Sequence, residues 1–89
     1  MLEQTVTIQN KLGLHARAAT KLAQLSQQFD AKVTLTLDGK DADAGSIMAL
    51  MLLSGAQGKQ LKVSAKGKDA KDALDNICQL IADKFDEEE

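Results

Sequence analysis

The chain carries a single histidine, His15, and the residues around it are those an oxyanion would need to meet. The segment Leu12-Gly13-Leu14-His15-Ala16-Arg17 sets this imidazole immediately ahead of a helical pattern. At a helix N-terminus the first backbone N–H groups have no intrahelical partner, and the helix dipole adds partial positive charge. Ala16 and Arg17 would present two such donors beside the ring. The Arg17 guanidinium can fork onto phosphate oxygens. Together these features describe an anion site with a nucleophile at its centre. Positive surroundings favour a ring with one nitrogen unprotonated near neutral pH, and Gly13 allows the loop to turn back tightly before the helix. The competing reading is an exposed capping residue with no role, and spacing alone leaves the two readings level.

Other chemistry is sparse. Cys78 is the one cysteine, so no intrachain disulfide can form, and one His with one Cys is too few for a zinc site of the usual type. No metal and no cofactor is expected. Lys and Arg total 11 against 13 Asp and Glu, a formal net charge of -2, and Phe29 and Phe85 are the two aromatics. That balance argues against nucleic-acid binding, which draws on basic excess and stacking aromatics. Met1-Leu2-Glu3-Gln4 has neither a basic nor an apolar leader pattern. No apolar run approaches membrane-spanning length. A cytoplasmic monomer made of one domain over residues 1–89 is the expectation, with 44% hydrophobic and 27% charged residues of ordinary globular character.

The elements that must hold His15 follow from periodicity. Thr5 to Ile8 alternates and predicts a strand, with Asn10 to Gly13 a loop. From Ala16 the apolar residues Ala18, Leu22, Leu25 and Phe29 recur at helical spacing, opposite Lys21, Gln24 and Gln28. Lys32 to Leu37 alternates again. Asp38-Gly39 is a strong hairpin signal, and the polar return strand Lys40 to Ala44 belongs at an edge. Ser46 is placed to cap a short helix to about Leu53, with Gly55 as its terminator. Gln60 to Ala65 reads as a further strand. Asp69 then caps a helix with the stripe Ala70, Leu74, Ile77, Ile81 and Phe85. Strands with one apolar face need cover, and one-sided helices supply it. The expected fold class is α+β: an open-faced two-layer sandwich, order βαββαβα, with a four-stranded antiparallel sheet covered on one face by three helices. Cys78 should be buried and inert, and Glu87-Glu88-Glu89 a solvated, frayed tail.

The stretch Asn10-Lys11-Leu12-Gly13-Leu14-His15-Ala16-Arg17-Ala18-Ala19 resembles the active-site signature of the HPr family, the histidine phosphocarriers of the phosphoenolpyruvate-dependent phosphotransferase system. A second block, Gly45-Ser46-Ile47-Met48-Ala49-Leu50-Met51-Leu52-Leu53, resembles that family's regulatory-serine segment. The spacing of the blocks, the length and the element order agree. The resemblance implies that His15 accepts a phosphoryl group on Nδ1 from enzyme I and passes it to an enzyme II-type protein. It implies that Arg17 and the backbone N–H groups of Ala16 and Arg17 hold the phosphate. A chain with this role is a covalent carrier rather than an enzyme in its own right. Ala18 stands where the family's run carries proline, which should loosen the helix start.

Ser46 has two readings: a helix N-cap, and by resemblance a target of a serine kinase that weakens transfer at the histidine. Ile47, Met48, Met51 and Leu52 put more apolar surface around a short helix than one sheet can bury, and an exposed remainder is a docking surface for partner proteins. Leu50 and Leu53 are expected in the core. The relay could serve sugar uptake or a nitrogen-related regulatory branch; the ending Phe85-Asp86-Glu87-Glu88-Glu89 and the wording of Leu50 to Leu53 lean toward the latter. The alternative from another class is a docking module of the same fold that acts by binding alone.

Overall fold

The computed structural model describes residues 1–87. Its elements are β1 (Leu2–Thr7), α1 (Ala16–Ser26), β2 (Lys32–Leu37), β3 (Lys40–Asp43), α2 (Ile47–Leu52), β4 (Gln60–Lys66) and α3 (Ala70–Ala82), followed by a single turn at Lys84–Asp86. The four strands pair antiparallel in the order β1-β4-β2-β3, with the helices over one face, as the alternation of apolar residues requires. Across the sheet Val63 stands opposite Leu35, which stands opposite Ala42. All three side chains are buried, with Leu61, Ala65, Val33 and Leu37 on the same inner face. A fully buried Leu or Val contributes about 1.5–3 kcal/mol, so this row resists a one-residue slip that would turn it outward. The β2–β3 hairpin closes through Asp38 and Gly39, both at positive φ (51° and 82°), the geometry that the dipeptide foretold. β3 lies at one edge of the sheet, as its polar sequence predicts, and β1 at the other.

The helix ends and caps depart from the sequence expectation at Phe29, Gly55 and Asp69. α1 ends at Ser26, so Phe29 lies beyond it and is half-buried; the buried stripe is Ala18, Ala19, Leu22, Ala23 and Ser26. Small residues on this stripe let α1 approach its neighbours closely. Gly55 does not end α2. Ser54 takes the positive φ (57°) past the helix, while Gly55 is buried against Leu14 and Ile8, where a Cβ would meet the Leu14 side chain at 2.7 Å. Asp69 does precede α3, but its carboxylate accepts the backbone N–H of Asp30 at 2.8 Å and makes no cap bond. It ties two loops together instead.

The stripe Ala70, Leu74, Ile77, Ile81 and Phe85 is buried as expected, although Phe85 lies outside the helix. Cys78 is buried on α3, and burial, with the Asp75 charge adding to it, pushes its thiol up to about 11. It is an inert core residue at neutral pH. Among the described residues no helix is long and apolar enough to cross a membrane.

Candidate functional site

The loop that carries His15 is built by backbone contact. Gly13 adopts φ 63°, and the N–H of Leu14 donates to the Gly55 carbonyl at 2.8 Å, which fastens this loop to the segment after α2. Inside the loop Asn10 is fully buried, and its Nδ2 donates to the Gly13 carbonyl at 2.8 Å. His15 then occupies the N-cap of α1 in extended conformation (φ -78°, ψ 176°). Its carbonyl accepts from the Ala19 N–H at 2.9 Å, and its ring makes no cap bond. Among the described residues no group accepts from the Ala16 or Arg17 amide, the two donors that begin the helix. Ala18, in the position of the family proline, is buried in the stripe and leaves the helix start regular.

The imidazole is neither fully buried nor free. Its side chain is 26% exposed, and Nε2 lies 2.5 Å from Glu87 Oε2. The other oxygen of the same carboxylate accepts from Asn10 Nδ2 at 2.9 Å. Glu87 is therefore no solvated tail residue: its side chain is 11% exposed and bridges the loop and the helix start. Glu88 and Glu89, expected with it as a solvated tail, lie outside the described residues. Burial opposes ionisation of Glu87, but the hydrogen bonds from Asn10 and His15 and the nearby charges of His15 and Arg17 outweigh it and hold the carboxyl below the usual glutamate value. The surroundings of the ring are thus mixed in sign rather than uniformly positive. Arg17 is exposed at the helix start, and its charge helps to hold this carboxyl down.

The turn that delivers Glu87 is unusual. Lys84, Phe85 and Asp86 all take positive φ (59°, 55° and 61°), a run that costs an L-residue about 1 kcal/mol or more at each position. The fully buried Phe85 ring anchors it, and Lys21 Nζ donates to the Phe85 carbonyl at 2.8 Å. Asn10 and Glu87 were not singled out by sequence reasoning. Asn10 had a local signal, a polar residue three before a turn glycine; Glu87 had none, being 72 positions from its partner.

α2 presents the other group of candidate residues. Ser46 is its N-cap, accepting from the Ala49 N–H at 3.2 Å. Met48 and Leu52 are 75% and 71% exposed, Met51 and Ile47 45% and 38%, whereas Leu50 and Leu53 are buried. α2 packs against α1, and the bond from Leu14 to Gly55 sets the end of this apolar surface beside the His15 loop. Leu12, 67% exposed on that loop, extends it.

Comparison with known proteins agrees with this architecture. Residues 2–83 match the family described as PTS HPr component phosphorylation site. Phosphocarrier protein NPr of Shewanella violacea is 54% identical over 97% of this chain and 94% of its own, and phosphocarrier protein NPr of Escherichia coli (strain K12) is 47% identical over 98% of each. The crystal structure of HPr-C-His from Thermoanaerobacter tengcongensis superimposes with a TM-score of 0.95 at 40% identity, over 100% of both chains. With a partly exposed imidazole at a helix start, an open-faced βαββαβα sandwich and a full-length match, the chain belongs to the HPr family of phosphotransferase-system phosphocarriers.

Proposed function

We propose that His15 is the residue that carries the phosphoryl group, received from enzyme I and ultimately from phosphoenolpyruvate, and given up to an enzyme II-type protein. The observation that carries this reading is the pair of amides of Ala16 and Arg17, unclaimed among the described residues, at the helix start beside the chain's single imidazole. Phosphoryl transfer asks mainly for position and for stabilisation of charge on three oxygens, and two amides with one guanidinium supply that without a metal or cofactor. The chain acts as a carrier rather than as an enzyme in its own right, since the partner's active site completes the reaction. Ile47, Met48, Met51 and Leu52 form the surface on which both partners dock in turn. Methionine suits such a surface because its flexible thioether adapts to more than one counterpart.

The nitrogen-related branch is the better supported of the two destinations, given 54% and 47% identity to proteins named NPr. A module that acts by docking alone would use the apolar face of α2 but has no use for an imidazole and a guanidinium at a helix start. The chain works as a cytoplasmic monomer, which sedimentation at cellular concentration tests. For Ser46 the cap is the role supported by geometry, and modification by a serine kinase is an added role that rests on the resemblance. Incubation with enzyme I and phosphoenolpyruvate, followed by an enzyme II-type acceptor, tests the relay as a whole. Phosphate should enter this chain and leave it; a chain that takes none overturns the proposal.

A further inference from the structure

The strained left-handed turn at Lys84–Asp86 has one visible product, the placement of Glu87 against His15. We propose that Glu87 is a positioning residue that keeps the proton of the imidazole on Nε2 and so presents Nδ1 as the nucleophile. This inference rests on the reading of His15 as the phosphoryl carrier.

A carboxylate has acceptors only, so the ring nitrogen that faces it at 2.5 Å must be the one bearing hydrogen. In a neutral imidazole the remaining nitrogen, Nδ1, then holds the free lone pair. Both oxygens of Glu87 are committed: Oε2 to His15 Nε2 and Oε1 to Asn10 Nδ2. Asn10 is itself locked, because its Nδ2 also donates to the Gly13 carbonyl and the residue is fully buried. An inverted amide would set its oxygen against two other oxygens. The order of constraint therefore runs from the buried loop amide through the carboxylate to the ring. The turn is held from behind by the buried Phe85 ring, by Lys21 Nζ on the Phe85 carbonyl, and by closing bonds from Asp86 N–H to Asp83 O and from Glu87 N–H to Lys84 O, each 3.0 Å.

In the transfer step the Nδ1 lone pair forms the new N–P bond while the bond from phosphorus to the donor atom breaks, its electron pair staying on the donor. The Nε2 proton is retained throughout. The ring becomes cationic as it gains the phosphoryl group, and the Glu87 carboxylate at Nε2 balances that charge. In the onward step the pair returns to Nδ1 and the ring is neutral again, still protonated at Nε2.

Glu87→Gln tests this. Glutamine has one oxygen for two donors, Asn10 Nδ2 and His15 Nε2–H, and the conflict is relieved if the ring proton moves to Nδ1 so that Nε2 accepts from the new amide. Long-range proton–nitrogen spectra of the ring in the full chain should show the Nε2–H form in the wild type and a shift toward the Nδ1–H form in the variant. Phosphorylation by enzyme I should slow by at least about tenfold through kcat, with KM for enzyme I unchanged. Backbone amide spectra report that the variant stays folded. Asp86→Asn, in the same turn but off the ring, should leave both readouts as in the wild type. A ring with the same tautomer in wild type and Glu87→Gln overturns the proposal whatever the rate does, and a shifted tautomer with an unchanged rate overturns it equally. A wild-type chain that accepts no phosphate is a different result: it overturns the relay, and the purpose assigned to Glu87 falls with it.

Discussion

Gly13 and Gly55 meet backbone against backbone: a Cβ built on Gly13 would stand 2.0 Å from the Gly55 carbonyl oxygen, the same oxygen that accepts from Leu14 at 2.8 Å. That oxygen cannot retreat without breaking the bond that fastens the His15 loop to the end of α2. Gly13 also sits at φ 63°, where a side chain is strained even in open space. Gly13→Ala should therefore cost about 3 kcal/mol in urea denaturation, and the surviving folded protein should transfer phosphate more slowly. A loss below about 0.5 kcal/mol, no more than a surface change produces, would show that this contact does not hold the loop.

Ser46 separates capping from regulation. Its hydroxyl accepts from the Ala49 N–H, so Ser46→Ala should lower stability by about 1 kcal/mol, read as a Tm drop of about 4–8 °C in a chain of this size. Ser46→Asp keeps a capping oxygen and adds charge, so its Tm should stay near that of the wild type. If a phosphate at this position weakens transfer, the aspartate variant alone should react more slowly with enzyme I. Equal rates in all three proteins would leave the cap as the whole role of Ser46.

Acid titration tests whether Glu87 is held as the structure describes. Its carboxyl lies below the usual glutamate value in the folded chain. A group with a depressed folded value binds its proton more readily when unfolded, so its contribution is present above the ordinary carboxylate range and fades as pH falls through the folded value. Between about pH 5 and pH 3 the wild type should lose stability more steeply than Glu87→Gln. Parallel curves in that window would mean the carboxylate is no more favoured in the folded chain than in the unfolded one.

The apolar face of α2 makes a separable prediction. Met48 and Leu52 are largely exposed, so Met48→Ala and Leu52→Ala should leave stability within about 0.5 kcal/mol. Each should nonetheless raise KM for enzyme I, by about tenfold if the residue is a binding anchor, with little change in kcat. Unaltered KM in both variants would move docking to another surface.

How far the sequence carried these conclusions can be read residue by residue. β2, the Asp38-Gly39 hairpin and the stripe of α3 were legible because periodicity and turn chemistry are local. The exposure of Met48 and Leu52 against the burial of Leu50 and Leu53 was legible too, because a two-turn helix on one sheet has an outside. The end of α1 was missed because Phe29 happens to continue the helical spacing after the backbone has left the helix. Gly55 was misread as a helix stop because a glycine's need for space is set by a neighbour, here Leu14, that only the fold supplies. Glu87 reads as tail in the sequence because a run of acidic residues carries no sign of the buried Phe85 that reverses the chain just before it. Long-range contacts made through positive-φ backbone leave no period to detect.

The most direct measurement is the location of the phosphate. After incubation with enzyme I and phosphoenolpyruvate, peptide mapping under alkaline conditions should find one acid-labile phosphoryl group on His15, bonded at Nδ1 by its phosphorus spectrum, and none on His15→Ala. Label at any other residue, or label that survives in His15→Ala, would rule out His15 as the carrier.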